Sequence, residues 1–450
     1  MFDRDETTTA SEARGDSSIP AAYTYFGQFV DHDITFDEGS GDMATLSAPD
    51  LKPLSSLAAL SNSRTAHLDL DSVYDAPRAG DRMLLSTVTK LNGTTTPLLR
   101  PPGKADQNDL PREGRSEDPR TDRAARIGDP RNDENLIVSQ LHVAFLKAHN
   151  ALVAGGMNFE AARRAMRQRY QWIVLHDFLK QVSDETVLSD VVAYGPKFWK
   201  VEQPGKLFMP AEFAAAAYRF GHSMIRTRYD FNLNFPNATL SLLFTFTALT
   251  GQLGENLGLP TADTLPENWI IQWERILPTN AGKPQFARTI DARLTDFTFK
   301  LQDTFGKPEG EGNSNPEVVR VAPQLAIRNL LRGYLFGLPT GQAVARAMNI
   351  TPLSGDAFLK ALPNEEIRAK AIPFAERTPL WFYILAEAGD PAGAAGRHLG
   401  MVGSRIVVET FWNLIRHSED SILQPGAKLD FDSFTLVDLI NLAAKEDVQA

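Results

Sequence analysis

From Glu134 to the C-terminus, this chain sets its apolar residues at helical spacing and almost never at strand spacing. The pattern runs through Glu134–Leu152, Phe159–Val182, Ala211–Arg226, Pro266–Leu277, Gln324–Tyr334, Gly341–Met348, Asp356–Ala361, Pro379–Ala388, Gly400–Arg416 and Thr435–Ala444. Start and stop signals support several of these spans, Pro379 entering one helix and Gly389 leaving it. Such a chain must bury many apolar helix faces against one another. That points to a mainly α fold with few short strands. No repeat and no clean linker divides it, so residues 21–450 are expected to form a single large domain. Residues 1–20 are polar and are expected to be disordered, ending at the Pro20 entry to a first helix over Ala21–Phe29. Between Asp37 and Arg126 the text is rich in Pro, Gly, Ser, Thr and charge. A loop segment of that length inside a compact domain usually carries function or wraps a core.

Composition removes several classes of chemistry. The 450 residues contain no cysteine, which excludes disulfides, thiolate ligation of haem, iron–sulfur clusters and cysteine nucleophiles. A net charge of −10 and a pI near 5.4 argue against nucleic acid or an anionic membrane as partner. No apolar run approaches the length of a membrane span, and the start shows no signal peptide. A soluble protein is expected, cytoplasmic or exported by a signal-independent route.

Three constellations could carry chemistry. In Gln28-Phe-Val-Asp31-His32-Asp33, helical geometry puts Gln28 and His32 about 40° apart and Asp31 about 60° to the other side of Gln28. Asp33 points roughly 140° away, towards different surroundings. The plain alternative is a solvated helix end, but the aromatic flank Tyr23–Phe29 favours a buried boundary. In Gly128-Asp-Pro-Arg131-Asn-Asp-Glu134, Arg131 and Glu134 can share one face at a helix start. An acidic cap on an ordinary helix explains the same text. His142 and His149 follow on that helix, and a buried, hydrogen-bonded role is favoured for both over metal ligation. In Tyr218-Arg219-Phe220-Gly221-His222, glycine beside histidine leaves room for a large planar ligand, although a lone helical histidine is commonly structural. Two further features are Arg328-Asn329-Leu-Leu-Arg332, a polar pair among apolar residues, and Thr65-x-His67-x-Asp69-x-Asp71, whose alternating oxygens suit either a hard cation or an Asp-rich turn.

Taken in order, FGQFVDHD (26–33), TAHLDLDSVY (65–74), GDPRNDE (128–134), HVAFLKAHN (142–150), YRFGHSMI (218–225) and RNLLR (328–332) resemble the animal-type haem peroxidases of the peroxidase–cyclooxygenase superfamily. The resemblance spans at least Phe26 to Gly337. The cysteine-free chain and the run GLPTGQAVARAMN look like the bacterial branch. The N-terminus stands unusually close to the first motif, an arrangement expected where a further segment precedes it.

The resemblance implies a myeloperoxidase-like helical domain around haem b, with hydrogen peroxide oxidising a small-molecule electron donor through a ferryl intermediate. It implies that His32 is the distal acid–base, Arg131 the distal cation and Gln28 the residue that holds water or halide. His222 is implied as the proximal iron ligand with Asn329 as its partner, and Arg219 and Arg332 as further haem-binding residues. Asp31 and Glu134 match the carboxylates that form ester links to haem. Asp33, Thr65, His67 (through its carbonyl), Asp69 and Asp71 match a calcium site. Asn135 departs from the methionine that forms a sulfonium link in myeloperoxidase, so donors other than chloride are expected: another halide, a pseudohalide or a phenol. Two alternatives are a haem-dependent fatty-acid dioxygenase of the same superfamily and a non-enzymatic haem-binding protein. The first wants a tyrosine three residues before the proximal histidine, where this chain has Arg219. The second has no need of His32 and Arg131.

Overall fold

The computed structural model describes residues 3–5, 15–36, 43–57, 62–91, 106–118, 120–201, 207–251, 253–254, 262–279, 283–295, 298, 301 and 310–449. The fold is mainly α, as the spacing implied. The helices that matter most for the site are α1 (Ala22–Ile34), α2 (Leu136–Ala154), α3 (Phe159–Trp172), α4 (Leu325–Leu335), α5 (Leu380–Gly389), α6 (Met401–Arg416) and α7 (Leu436–Gln449).

The core forms around α2. Every residue from Leu136 to Ala151 is buried, as expected of a helix that is apolar on all sides. By length and composition it is the one helix among the described residues able to cross a membrane, but 89% of its apolar window is buried inside the protein. Its neighbours are α1, α3 and, most extensively, α7. Asn135 sets where it starts: the side-chain oxygen accepts the Val138 N–H at 3.1 Å, satisfying one of the helix's free donors.

Helix α1 is pinned to this core by its aromatic residues. Phe29 stacks on Phe145 at 4.7 Å with the rings 1° from parallel, and meets the edge of Tyr170 at 6.3 Å. Phe26 meets Phe178 at 5.6 Å. Each fully buried phenylalanine contributes roughly 1.5–3 kcal/mol. These anchors fix the rotation of α1, and with it the directions of Gln28, Asp31, His32 and Asp33.

The described strands are short and fall into four two-stranded pairings. Two of them correct the expectation of disorder over residues 1–20. Asp3–Asp5 pairs in parallel with Arg293–Thr295, and Asp16–Pro20 pairs antiparallel with Phe286–Arg288. The Asp16 carboxylate also joins the guanidinium groups of Arg226 and Arg288. Residues 1–2 and 6–14 lie outside the described set.

Two expected helices are also broken. Ala211–Arg226 becomes a four-residue helix, Ala211–Ala214, followed by a 3-10 helix over Ala217–Met224. Local propensity loses here to tertiary bonds. Arg219 Nε donates to the Ala214 carbonyl at 2.8 Å, and Trp381 Nε1 donates to the Arg219 carbonyl at 3.2 Å. Pro266–Leu277 becomes two 3-10 turns, Glu267–Trp269 and Trp273–Arg275. There the Asn232 Nδ2 donates to the Asn268 and Ile270 carbonyls. The span Phe159–Val182 is helical throughout, with a π-helical stretch at Ile173–Phe178.

Candidate active site

Helix α1, the 3-10 turn Pro130–Asp133 and the start of α2 meet around His32. The ring is 4% exposed, and its Nδ1 lies 2.9 Å from Asn132 Oδ1. Nε2 takes no hydrogen bond from the described residues. Burial, reinforced by the Arg131 guanidinium, pushes His32 down to about 4. The imidazole is therefore neutral at neutral pH, with one nitrogen held and the other available. Gln28 completes the cluster, donating from Nε2 to Glu134 Oε1 at 3.1 Å and accepting from Asn135 Nδ2 at 3.1 Å.

Arg131 reaches the same place from below. Asp129, fully buried, accepts from Arg131 Nε and Nη2. Arg131 Nη2 also donates to the His32 and Thr35 carbonyls, at 3.1 and 2.6 Å. Its remaining terminal nitrogen, Nη1, meets no acceptor among the described residues. The positive charge is thus tethered to the C-terminal end of the helix that carries His32.

The 3-10 helix Ala217–Met224 brings His222 alongside. Asn329, from α4, places its amide nitrogen 3.0 Å from His222 Nδ1. Burial, then Arg219, pushes His222 down to about 3. A side chain added at Gly221 would meet nothing within 4 Å, so there is open space next to the ring, as a planar group would need. Trp381 stands edge-on to His222 at 6.4 Å. The two segments are joined directly: Arg219 Nη1 is 3.4 Å from Asp31 Oδ2, and the Tyr218 hydroxyl donates to the Gly27 carbonyl at 3.1 Å. Burial pushes the Asp31 carboxyl up, but Arg219, His32, Arg131 and the Thr35 hydroxyl outweigh it, and the net shift is downward. Asp31 is ionised. Arg332 sits on α4 one turn after Asn329, close enough for its charge to act on His222.

On the other side of α1, Asp33, Asp69 and Asp71 bring carboxylate oxygens within 4.8 Å of one another. Asp33 is fully buried and accepts from the Ser72 hydroxyl at 3.0 Å and the Leu70 N–H at 3.3 Å. Leu70, between the other two acids, holds a left-handed φ of 58°, a strained state for a branched residue. Thr65 Oγ1 donates to Asp69 Oδ2 at 3.0 Å. His67 lies in the same half-buried loop, two residues before Asp69. Burial and mutual repulsion hold Asp33 well above the usual carboxylate range and push Asp71 up to about 6. Such a cluster fits a hard cation.

Sequence reading did not single out Asp129, Asn132 or Arg64. Arg64 bonds Asp71 at 3.1 Å, Asp129 Oδ2 at 3.2 Å and the Gly128 carbonyl at 2.6 Å, so one guanidinium spans both sites. Gly128 itself permits the close approach, since a Cβ there would sit 2.5 Å from the Asp71 carbonyl. The Asp129-x-Arg131 spacing was the available signal for the first residue; Arg64 had none. The buried roles expected for His142 and His149 are observed: His142 Nδ1 meets Asn132 Nδ2 at 3.1 Å, and His149 meets the Tyr74 hydroxyl and the Asp81 carbonyl.

Residues 47–249 match the animal haem peroxidase family. That match covers a little under half of the chain. Over 135 residues it is 28% identical to a peroxidase-like protein of Margaritifera margaritifera, a match covering 25% of this chain and 16% of that relative's length. Among solved structures, peroxidase A of Dictyostelium discoideum superposes with a TM-score of 0.57 at 15% identity, over 99% of this chain and 88% of that one. The fatty acid alpha-dioxygenase of Oryza sativa gives 0.57 at 13% identity, over 100% and 74%, and that of Arabidopsis thaliana 0.58 at 12%, over 99% and 71%. At such identities the likeness is one of fold alone.

Proposed function

We propose that this chain is a haem peroxidase that uses hydrogen peroxide to oxidise small donors. The observation that carries the reading is His32: buried, neutral, fixed at Nδ1 and open at Nε2. A histidine in that state is equipped for general acid–base work near neutral pH. His32 Nε2 would take a proton from one peroxide oxygen and return it to the other, so that the departing oxygen leaves as water. Arg131, through Nη1, would stabilise the negative charge that develops as the O–O bond breaks. Gln28, held by Glu134 and Asn135, would orient water or a small donor.

Haem b would bind in the open space beside His222 and Gly221. Bound there, haem would supply the redox centre that passes oxidising equivalents from peroxide to the donor. His222 Nε2 would be the iron ligand, which requires a proton on Nδ1. Asn329 would then present its amide oxygen to that proton, half a turn from the orientation now facing it. Arg219 and Arg332 would flank the haem. The ionised Asp31 carboxylate and Glu134 are suited to ester links with haem. Asp33, Thr65, Asp69 and Asp71, with the His67 carbonyl, would hold calcium. Asn135, engaged with Gln28 and capping α2, takes the position of the methionine associated with chloride oxidation. Bromide, iodide, thiocyanate or phenols are the expected donors.

The test is a Soret band on haem-loaded protein together with peroxide-driven oxidation of a phenol; absence of both rejects the reading. Mass spectrometry of acid-extracted haem tests the links. Haem should stay attached to the wild type and be released from the Asp31→Ala, Glu134→Ala double variant. A second reading, fatty-acid dioxygenation, draws on the Oryza and Arabidopsis neighbours. Against it stands Arg219 at the tyrosine position. The nearest phenol, Tyr218, is bonded to Gly27 and stacked 4.8 Å from Phe213. Oxygen uptake with a long-chain fatty acid and no peroxide would favour the second reading.

A further inference from the structure

The contacts of His32 continue past Asn132. One amide lies between two imidazoles: Asn132 Oδ1 is 2.9 Å from His32 Nδ1, and Asn132 Nδ2 is 3.1 Å from His142 Nδ1. All three side chains are buried, Asn132 and His142 completely. Both imidazoles meet the same neutral amide in this buried setting, where the uncharged ring is the cheaper form. A neutral imidazole carries one N–H, and an amide offers an acceptor at one end and a donor at the other. The two histidines must therefore be opposite tautomers. With the amide oxygen towards His32, the His32 proton sits on Nδ1 and Nε2 is left basic. With the amide nitrogen towards His142, that ring accepts at Nδ1 and carries its proton on Nε2.

The surroundings of His142 make simple core filling a poor account of it. Its Nε2 is buried with no hydrogen-bond partner among the described residues, a cost of roughly 1–3 kcal/mol that an apolar residue would avoid. Its neighbours on α2, Leu141, Val143 and Phe145, are all apolar, and Phe29 stands 6.1 Å away. The polar contact His142 retains is the one to Asn132.

We propose that His142 is a positioning residue for His32: by accepting from Asn132 Nδ2 it fixes which end of the amide faces His32, and so locks His32 as the Nδ1-protonated tautomer with a basic Nε2. The proposal deepens the peroxidase reading and rests on it for its purpose, though the tautomers can be measured separately. Proton position at a histidine is set by the bond its other nitrogen makes, and here that bond is set by a residue one amide removed from His32.

Nitrogen NMR on protein labelled with 15N-histidine, in the diamagnetic ferrous carbon-monoxide form, separates protonated from bare ring nitrogens. The His32 signals are assigned by their loss in His32→Gln. In the wild type, His32 should be protonated at Nδ1 and His142 at Nε2. In Asn132→Asp, which has acceptors at both ends, His32 should keep its tautomer while His142 switches to Nδ1. In His142→Phe, the amide is free to turn. His32 should then show a mixture of tautomers, and the rate constant for reaction with peroxide should fall on the order of tenfold, with KM for the donor unchanged. A wild-type His32 protonated at Nε2 overturns the proposal. So does a His142→Phe variant whose His32 tautomer and peroxide rate match the wild type. If His142→Phe does not fold, the wild-type tautomers and the Asn132→Asp switch decide. If the chain binds no haem, the Soret test has failed first, and the same signals read in the protein as isolated still report on His142.

Discussion

His32 and Asp33 are adjacent on α1, yet their surroundings are opposite. Around His32, each polar side chain is held by a neutral or compensating partner: Asn132, itself held by His142, for the imidazole, Glu134 and Asn135 for Gln28, Asp129 for Arg131. Around Asp33, three carboxylates crowd within 4.8 Å and, among the described residues, a single guanidinium, Arg64, bonds one of them. The first face is held together by hydrogen bonds from the chain itself. The second crowds carboxyl groups together, one of them fully buried, where like charges repel strongly. A satisfied hydrogen-bonded network would preorganise chemistry, whereas a crowded acid cluster would favour a cation. The two are coupled through α1 and through Arg64, which bonds Asp71 on one side and Asp129 on the other.

Removing the proton carrier should give the largest effect. His32→Ala is expected to lower kcat/KM for peroxide by about 10²–10⁴-fold, measured by phenol oxidation at matched Soret absorbance. The response of Tm to calcium should be unchanged. A loss smaller than tenfold would mean that this face does not do the proton work.

The cation face should show itself in stability. Calcium at about 100 times its Kd is expected to stabilise the fold by about 2.7 kcal/mol, read as a rise in Tm after chelation and re-addition. Asp69→Asn with Asp71→Asn should abolish the response. In chelator, however, this variant should be more stable than the wild type, because the repulsion with Asp33 is relieved. If chelator lowers its Tm as much as it lowers the wild type's, the acids are not the cation's ligands.

Acid should act on the two faces with opposite sign. Burial pushes His142 and His32 down to about 3 and about 4, whereas an unfolded imidazole titrates near 6.5. Between those values the unfolded chain binds protons that the folded chain refuses, so stability present above about 6.5 is lost as pH falls towards 3. Asp71, pushed up to about 6 mainly by burial and then by Asp69, works the other way. Without a cation it binds a proton in the folded chain before the unfolded one, so its contribution is present below about 4 and lost as pH rises through 6. Urea unfolding in chelator at pH 4.5 and 7 separates the two. Asp71→Asn should deepen the net loss on acidification, and His142→Phe should lessen it. Identical pH dependence in both variants would sink the assignment.

How much of this was legible in the sequence follows from how local each interaction is. The convergence of Gln28, Asp31 and His32 could be read because all three lie within two turns of one helix, where spacing fixes direction. The acid loop was legible because its ligands alternate along a short stretch. Asn132 was not, since its importance lies in standing between residues 100 positions back and 10 ahead. The strand at Asp16–Pro20 depends on a partner some 270 residues away, and the break after Ala214 depends on Trp381. Long-range partners override local preference, and a single sequence gives no sign of them.

Asn135 joins both kinds of information, and the smallest predicted effect separates them. Its side-chain oxygen caps α2 and its nitrogen holds Gln28. Asn135→Ala loses both and should cost about 1 kcal/mol, a fall in Tm of roughly 1–2 °C for a chain of this size. Asn135→Ser restores the cap, because a hydroxyl serves the Val138 N–H equally well, but serine has no amide to hold Gln28. Stability should return to the wild-type value in Asn135→Ser. Any change in peroxide kinetics caused by a freed Gln28 should persist equally in both variants. If serine restores the kinetics together with the Tm, Gln28 needs only an intact helix start, and the bond from Asn135 adds nothing to the chemical face.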